Sequence, residues 1–254
     1  MSQTISISAL YTYPVKSCAG ISHRQIAITD TGPLYDRRWM IGCDSGGSTL
    51  AQVTQREVPK LALVQPTITA DSLILSAPGM PDLSIPLDDR AQTAAPITIW
   101  RDSVTAHDEG SEAAVWFSDF LNVDVRLLRM PDDCYRRVSP EYSPEPAQVG
   151  FADAYPLLLI SEASLADLNE KMASRGKPSL PMNRFRPSVV AAGCAPFAED
   201  GWKRFTAAGI PFDVVKPCAR CVTTTVEQSQ GVVLDSAEPL ATLATYRKAP
   251  NGVL

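Results

Sequence analysis

The chain has 254 residues, 45% hydrophobic and 20% charged, with a formal net charge of -5. It is long enough to bury a sizeable core as one large β-rich domain or two modest ones. The acidic balance, with no long run of lysine or arginine, excludes a sequence-independent nucleic-acid binder, which needs a basic stripe. No apolar stretch reaches the ~20 residues that span a bilayer. Met1-Ser2-Gln3-Thr4-Ile5 lacks the basic start and apolar run of a secretory signal, so a cytoplasmic protein without a membrane segment is expected.

The first hundred residues predict short strands at Ile5 to Tyr13, Gln25 to Thr29, Arg38 to Gly42, Leu61 to Thr69 and Ser72 to Ser76. These runs are rich in Ile, Val, Leu and Thr and are bounded by Pro, Gly and Asp. Close spacing of this kind favours a barrel or sandwich. Ser111 to Leu121 predicts a helix, with Ala114, Phe117, Phe120 and Leu121 on its apolar face. A strand at Val123 to Leu128 and a polar loop from Pro131 to Gln148 follow, and the domain junction is placed there. The second half predicts a strand at Leu157 to Ile160 and a helix capped by Ser164, with Asp167 in its first turn, running to about Ser174. Further strands are expected at Ser188 to Ala192 and Phe212 to Val215, and Pro239 opens a short helix ending before Pro250. The expected fold is mainly β with covering helices, an α+β protein.

Six cysteines are too sparse for a disulfide scaffold, and two histidines, His23 and His107, cannot make a histidine-rich metal site. The densest chemistry lies in Lys216-Pro217-Cys218-Ala219-Arg220-Cys221 and the β-branched run that follows. Positive charge from Lys216 and Arg220 is expected to favour a thiolate. A structural zinc site needs about four ligands, and no second pair is present. A redox pair expects a helix after the CxxC, but Val222 to Val226 predicts a strand. A soft thiolate for a metal held mainly by its own cofactor and two buried apolar cysteines both remain open.

Lys16-Ser17-Cys18 leaves a strand edge as a loop, where an ammonium and free N–H groups suit an anion or form a solvated turn. Asp36-Arg37-Arg38-Trp39 and Asn183-Arg184-Phe185-Arg186-Pro187 interleave arginine with aromatics, so these arginines should meet an anion or a carboxylate. Asp36 is the obvious partner for Arg37 or Arg38. Strand alternation would put Arg184 and Arg186 on one face and Phe185 on the other.

Tyr13-Pro14-Val15-Lys16-Ser17 and Tyr35-Asp36-Arg37-Arg38-Trp39 resemble the signature of the N-terminal β-barrel domain of MOSC proteins. Ser161-Glu162-Ala163-Ser164-Leu165, Asn183-Arg184-Phe185-Arg186-Pro187 and Cys218-Ala219-Arg220-Cys221-Val222-Thr223-Thr224 resemble the MOSC domain itself. The match runs in order from about residue 5 to 250. It is most similar to the branch containing the mitochondrial amidoxime-reducing component and bacterial reductases of N-hydroxylated bases.

The resemblance implies an N-terminal MOSC-type β-barrel domain over 1–125 and a MOSC β-barrel domain over 130–254. It implies a molybdenum–molybdopterin cofactor whose metal is ligated by Cys221, with Cys218 a neighbour. Lys16, Ser17, Arg37, Asp153, Ala154, Arg186, Ala219 and Arg220 are then the cofactor-binding positions. The implied activity is a two-electron reduction of a small N-hydroxylated substrate, releasing the amine or amidine and water. No plant-type C-x4-C-x2-C spacing occurs, so electrons would come from a separate iron–sulfur or flavin protein. Relatives continue past the position of Leu254 into a Phe-Gly-Gln segment and further strands. Either the chain is a natural short form, whose second barrel would be open at one edge, or the sequence is truncated. The alternatives are a non-catalytic cofactor or sulfur carrier using a Cys221 persulfide, and an inactive remnant.

Overall fold

The computed structural model describes residues 4–88, 93–143, 146–249 and 252–254. Met1 to Gln3 of the expected leaderless start, Pro144 and Glu145 of the expected loop, and Pro250 lie outside the described residues. The molecule is mostly β with few helices.

Strand β1 (Ser6–Thr12) pairs antiparallel with β2 (Ile21–His23), and the strand expected over 25–29 shortens to Ile28–Thr29. β3 (Trp39–Cys43) pairs with β4 (Leu50–Val53). The strand expected over 61–69 is split. Pro59 opens a 3-10 turn to Leu63, a first-turn place where its fixed φ fits, and only β5 (Gln65–Ile68) is extended. β5, β6 (Ser72–Ser76) and β7 (Leu83–Pro86) form a meander, and β8 (Thr93–Ile99) and β9 (Asp102–Asp108) a hairpin. Helix α1 (Ser111–Leu121) and β10 (Arg126–Arg129) follow.

The order β8-β9-β10-β3-β4 closes into a barrel, β4 returning parallel to β8 with Ile97 opposite Leu50. Alternation along the strands sends Met40, Leu50, Ile97, Ile99, Ala106 and Leu128 into one cluster to which every barrel strand contributes. Trp39, Ile41, Val53 and Leu127 point the other way and pack with Phe117, Phe120 and the meander. α1 covers this second cluster with Ala113 and Trp116 as well as Phe117, Phe120 and Leu121. Burying such side chains contributes roughly 1.5–3 kcal/mol each.

One buried ion pair ties the meander to the barrel. Glu109 Oε1 accepts from Arg129 Nε and from Trp39 Nε1, both at 2.6 Å, and the Arg129 and Glu109 side chains are 6% and 0% exposed. Arg129 also donates to the carbonyls of Pro86 and Asp88. Glu109→Gln leaves that guanidinium charge buried without a counter-ion, and a loss of ~3–5 kcal/mol is expected in chemical denaturation. A loss under ~1 kcal/mol would show that the carbonyls alone suffice.

In the second half, β11 (Leu159–Ser161), helix α2 (Glu162–Ser174) and β12 (Val189–Ala192) precede a hairpin of β13 (Arg204–Ala207) and β14 (Ile210–Asp213), and α3 (Leu240–Leu243) comes late. β12 lies between β11, to which it is parallel, and β1, to which it is antiparallel with Leu10 opposite Val189. The first strand of the chain thus completes the sheet of the second half.

Three expectations are corrected. Ser161, not Ser164, caps α2: its Oγ accepts from Ser164 N at 3.1 Å, so the helix starts two residues before Ser164, with Glu162 in its first turn. Val222 to Val226 is not a strand. Thr224 and Thr225 donate their hydroxyls back to the carbonyls of Cys221 and Val222, at 2.9 and 2.8 Å, which closes a 3-10 turn over Val222–Thr225. Met182–Phe185 is likewise a 3-10 turn, with Arg186 left-handed at φ 53, so strand alternation does not govern Arg184 and Arg186.

Candidate functional site

The turn after β1 sets the first site residues. Lys16 N donates to Trp39 O at 2.8 Å, Arg37 N to Tyr13 O at 2.8 Å, and Tyr13 N to Asp36 Oδ1 at 2.6 Å. These bonds bring the two loops of the first half side by side. Phe151, fully buried in the barrel cluster, donates its N–H to Arg37 O at 2.8 Å and so fixes a third segment beside them. Gly150 is required by this approach, because a Cβ there would stand 2.9 Å from Arg37 O. Arg136 holds the same segment through the carbonyls of Gly150 and Ala152, at 2.9 and 2.6 Å.

Asp153, at the end of that segment, meets Lys16. Lys16 Nζ lies 2.8 Å from Asp153 Oδ1 and donates to Gln52 Oε1 at 2.8 Å. Its side chain is 7% exposed, and Asp153 keeps 47% of its own in solvent. Burial pulls the Lys16 ammonium below its ordinary value, and Asp153 only partly restores it. Arg56 NH2 reaches Asp153 Oδ2 at 3.0 Å, and Trp100 Nε1 donates to Oδ1 at 3.2 Å. Burial works against ionisation of Asp153, yet Lys16, Arg56 and Trp100 together hold its carboxyl well below the usual carboxylate range.

Arg56 also donates to Cys221 Sγ at 3.7 Å, and Thr223 Oγ1 lies 3.4 Å from the same sulfur. Burial would raise this thiol, but Thr223 and then Arg56 outweigh it and pull it down. The cations expected to do this are elsewhere. Lys216 stacks on Tyr142 at 4.4 Å, and Arg220 stacks on Phe185 at 5.2 Å and donates to Phe185 O at 2.9 Å. Phe185 and the Val253 carbonyl hold Arg220, and Arg56 arrives at the sulfur from the first half. Cys218 is exposed, so two buried thiols are not what the segment forms.

Arg37 and Arg186 come together on Tyr13, with guanidinium carbons 4.4 and 4.2 Å from the ring centroid. Arg37 pairs with Asp36, and Arg38 with Asp132. Arg184 turns to Glu227 at 2.6 Å, away from Arg186. Among the described residues Arg186 makes no ion pair and only a 3.5 Å contact to Gln228 Oε1; burial pulls it down to about 10. Ser17, with φ 70, links the two groups: its carbonyl accepts from Gln55 Nε2 at 2.6 Å, and Gln55 exchanges amide bonds with Gln228. Cys18, behind it, is buried, and burial pushes its thiol up to about 12. Ala154 and Ala219 are exposed, and Arg220 N donates to Val253 O at 2.6 Å.

The structure therefore joins Lys16, Asp153 and Cys221 in one cluster and Arg37 with Arg186 in a second, with Ser17 between. Arg56, Gln52 and Trp100 belong to the first cluster without any motif to announce them. Among the described residues no three of His, Cys, Asp and Glu converge, so a metal at Cys221 has to bring its other ligands with it.

Residues 4–124 match the family description "MOSC N-terminal beta barrel domain" and residues 146–253 match "MOSC domain". Mitochondrial amidoxime reducing component 2 of Bos taurus is 36% identical over 256 residues, which cover 97% of this chain and 74% of that protein. The chain belongs to the MOSC family. Mitochondrial amidoxime-reducing component 1 of Homo sapiens is 32% identical over 258 residues, covering 98% of this MOSC chain and 74% of the human protein. Molybdenum cofactor sulfurase of Oryza sativa subsp. japonica is 33% identical over 267 residues, covering 98% of this chain but 32% of that longer protein. The MOSC motifs bracket the boundary between the halves: Lys16 and Arg37 come from the first match, and Asp153, Arg186 and Cys221 from the second.

Proposed function

We propose that the chain binds a molybdenum–molybdopterin cofactor through Cys221 and reduces small N-hydroxylated compounds, namely hydroxylamines, amidoximes or N-hydroxylated bases. The observation that carries this reading is a thiol held low by Arg56 and Thr223, in one cluster with Lys16 and Asp153. The names of the amidoxime-reducing relatives support the substrate class. The residues fit the group. Cys221 offers one soft donor; among the described residues Arg186 is a deeply set cation in no ion pair, and Arg220 Nε is a buried donor with no hydrogen-bond partner.

When bound, the cofactor supplies the two-electron chemistry that cleaves the N–O bond, giving the amine or amidine and water from two electrons and two protons. Cys221 would anchor the metal as a thiolate, and Arg56 would hold that sulfur in its charged form. Lys16, Arg37 and Arg186 would hold the anionic pterin phosphate. The electrons come from a separate iron–sulfur or flavin protein.

The test is metal analysis of protein produced with an intact cofactor pathway, followed by reduction of an N-hydroxylated base with a chemical electron donor. About one molybdenum per chain and turnover of the base are expected. Metal-free protein carrying a persulfide on Cys221 would overturn the reading in favour of a sulfur carrier, the alternative that the sulfurase relative supports.

A further inference from the structure

β8 and β9 are joined by a two-residue turn, Trp100-Arg101, and Trp100 adopts φ 57 at its first position. A left-handed residue there is by preference glycine, whose missing Cβ removes the clash. Trp100 is also 52% exposed, so burial in the core does not account for an indole at this place. What the indole touches does account for it.

The indole N–H donates to Asp153 Oδ1 at 3.2 Å, and the Arg56 guanidinium carbon lies over the ring, 4.7 Å from its centroid. One nitrogen of Arg56, NH2, serves two acceptors: Asp153 Oδ2 at 3.0 Å and Cys221 Sγ at 3.7 Å. An arginine beside a carboxylate frequently takes both its oxygens in a two-pronged fork. Such a fork would draw Arg56 onto Asp153, the nearer acceptor, and off the sulfur. Two contacts stand against it. Asp153 Oδ1 is already occupied, by the Trp100 N–H and by Lys16 Nζ at 2.8 Å, so Arg56 is left with Oδ2. The indole face limits the swing of the guanidinium, which has to stay over the ring to keep the cation–π contact.

We infer that Trp100 is a positioning residue for the Cys221 sulfur: its ring holds Arg56 on that sulfur and keeps the guanidinium from closing wholly on Asp153. The inference rests on the proposed ligation of the cofactor metal by Cys221 and names the residue that fixes the sulfur's outer contact. Trp100 acts through Arg56, and the bond from its N–H to Asp153 sets the tilt of the ring. Three segments meet in this brace: the β8–β9 turn, the turn after β4 that carries Arg56, and the loop that carries Asp153.

The test is a double-mutant cycle of Trp100→Ala and Arg56→Gln in cofactor-loaded protein, read as the rate at which molybdenum is lost on dialysis. Trp100→Ala is expected to speed that loss ~10-fold, the lower end of what groups that orient a metal ligand are worth. The double variant should lose molybdenum no faster than Arg56→Gln alone, because the ring then has no guanidinium to hold. Trp100→Phe, which keeps the ring face without the N–H, should recover most of the difference. Effects that multiply in the double variant, or a Trp100→Phe as poor as Trp100→Ala, would overturn the inference and make Trp100 a mere support for the Asp153 loop. A second arm alkylates the metal-free protein with iodoacetamide at neutral pH and follows Cys221 by peptide mass spectrometry, with exposed Cys218 as the internal reference. Trp100→Ala and Arg56→Gln should each slow Cys221 several-fold relative to Cys218, with no further slowing in the double variant. That pattern in a chain that takes up no molybdenum would uphold the positioning role and count against the proposed ligation alone. Alkylation of Cys221 that is unchanged or faster in Trp100→Ala would overturn the inference, a faster rate showing that the ring only screens the thiol.

Discussion

Cys221→Ser is expected to strip the protein of molybdenum and to lower turnover of an N-hydroxylated base by at least ~100-fold, about 2.7 kcal/mol in barrier terms. A serine hydroxyl stays protonated where the thiol ionises, and it is a hard donor where a soft one is needed. Cys218→Ser should change little, because Cys218 is exposed and among the described residues its sulfur bonds only to the neighbouring carbonyl of Ala219, at 3.7 Å. Arg56→Gln should fall between the two. It keeps the ligand but removes the cation 3.7 Å from it, and outer groups that orient a ligand are typically worth ~10–100-fold in metal affinity. Metal content by mass spectrometry and steady-state rates measured on the same preparations rank the three. If Cys218→Ser loses the metal and Cys221→Ser keeps it, the assignment within the CxxC is reversed and Arg56 has no role in it.

The ranking depends on a residue that the sequence does not announce. The CxxC, the Lys16 turn and the arginine–aromatic runs are visible because each concentrates unusual chemistry in a few neighbouring positions. Helix α1 is legible over its full length because its apolar spacing and its ends are local. Arg56 sits in an ordinary polar turn after β4 and acquires its meaning from Cys221, 165 residues on. Trp100 occupies a hairpin turn and acquires its meaning from Asp153. Contacts of that span follow from barrel closure and from β1 joining β12, neither of which leaves a periodic trace. The two misread segments share one cause. Both were expected to be extended, but bonds within three residues close each into a turn: hydroxyl bonds at Val222–Thr225 and backbone bonds at Met182–Phe185. The arginines were rightly expected to seek carboxylates or anions: Arg37, Arg38 and Arg184 find carboxylates, and Arg186 is the exception the cofactor reading uses.

Asp153→Asn is expected to destabilise the metal-free protein by ~1–3 kcal/mol at neutral pH, less than the ~3–5 kcal/mol of a fully buried pair because the outer edge of Asp153 is in water. The cause is Lys16. Its ammonium is already depressed by burial, and Asp153 is the carboxylate that offsets this. The variant leaves Lys16 with only the Gln52 carbonyl and leaves Arg56 with the Cys221 sulfur. The pH dependence follows from the direction of the Asp153 shift. Its folded-state value lies below the unfolded one, so the ionised carboxylate stabilises the fold above the ordinary carboxylate value of about 4. That contribution is lost only as pH falls below this value toward the folded one. The gap between parent and variant should therefore stay constant through the neutral range and narrow in acid, as urea denaturation at neutral pH and near pH 3 would show. Binding of an anion should narrow it as well, because a phosphate beside Lys16 and Arg56 replaces the missing charge. A gap that persists unchanged in acid would mean that Asp153 supports the loop through its hydrogen bonds to Trp100 and the backbone around it. Lys16 would then be stable in its pocket without a carboxylate, and the electrostatic account of this cluster would fail at its central pair.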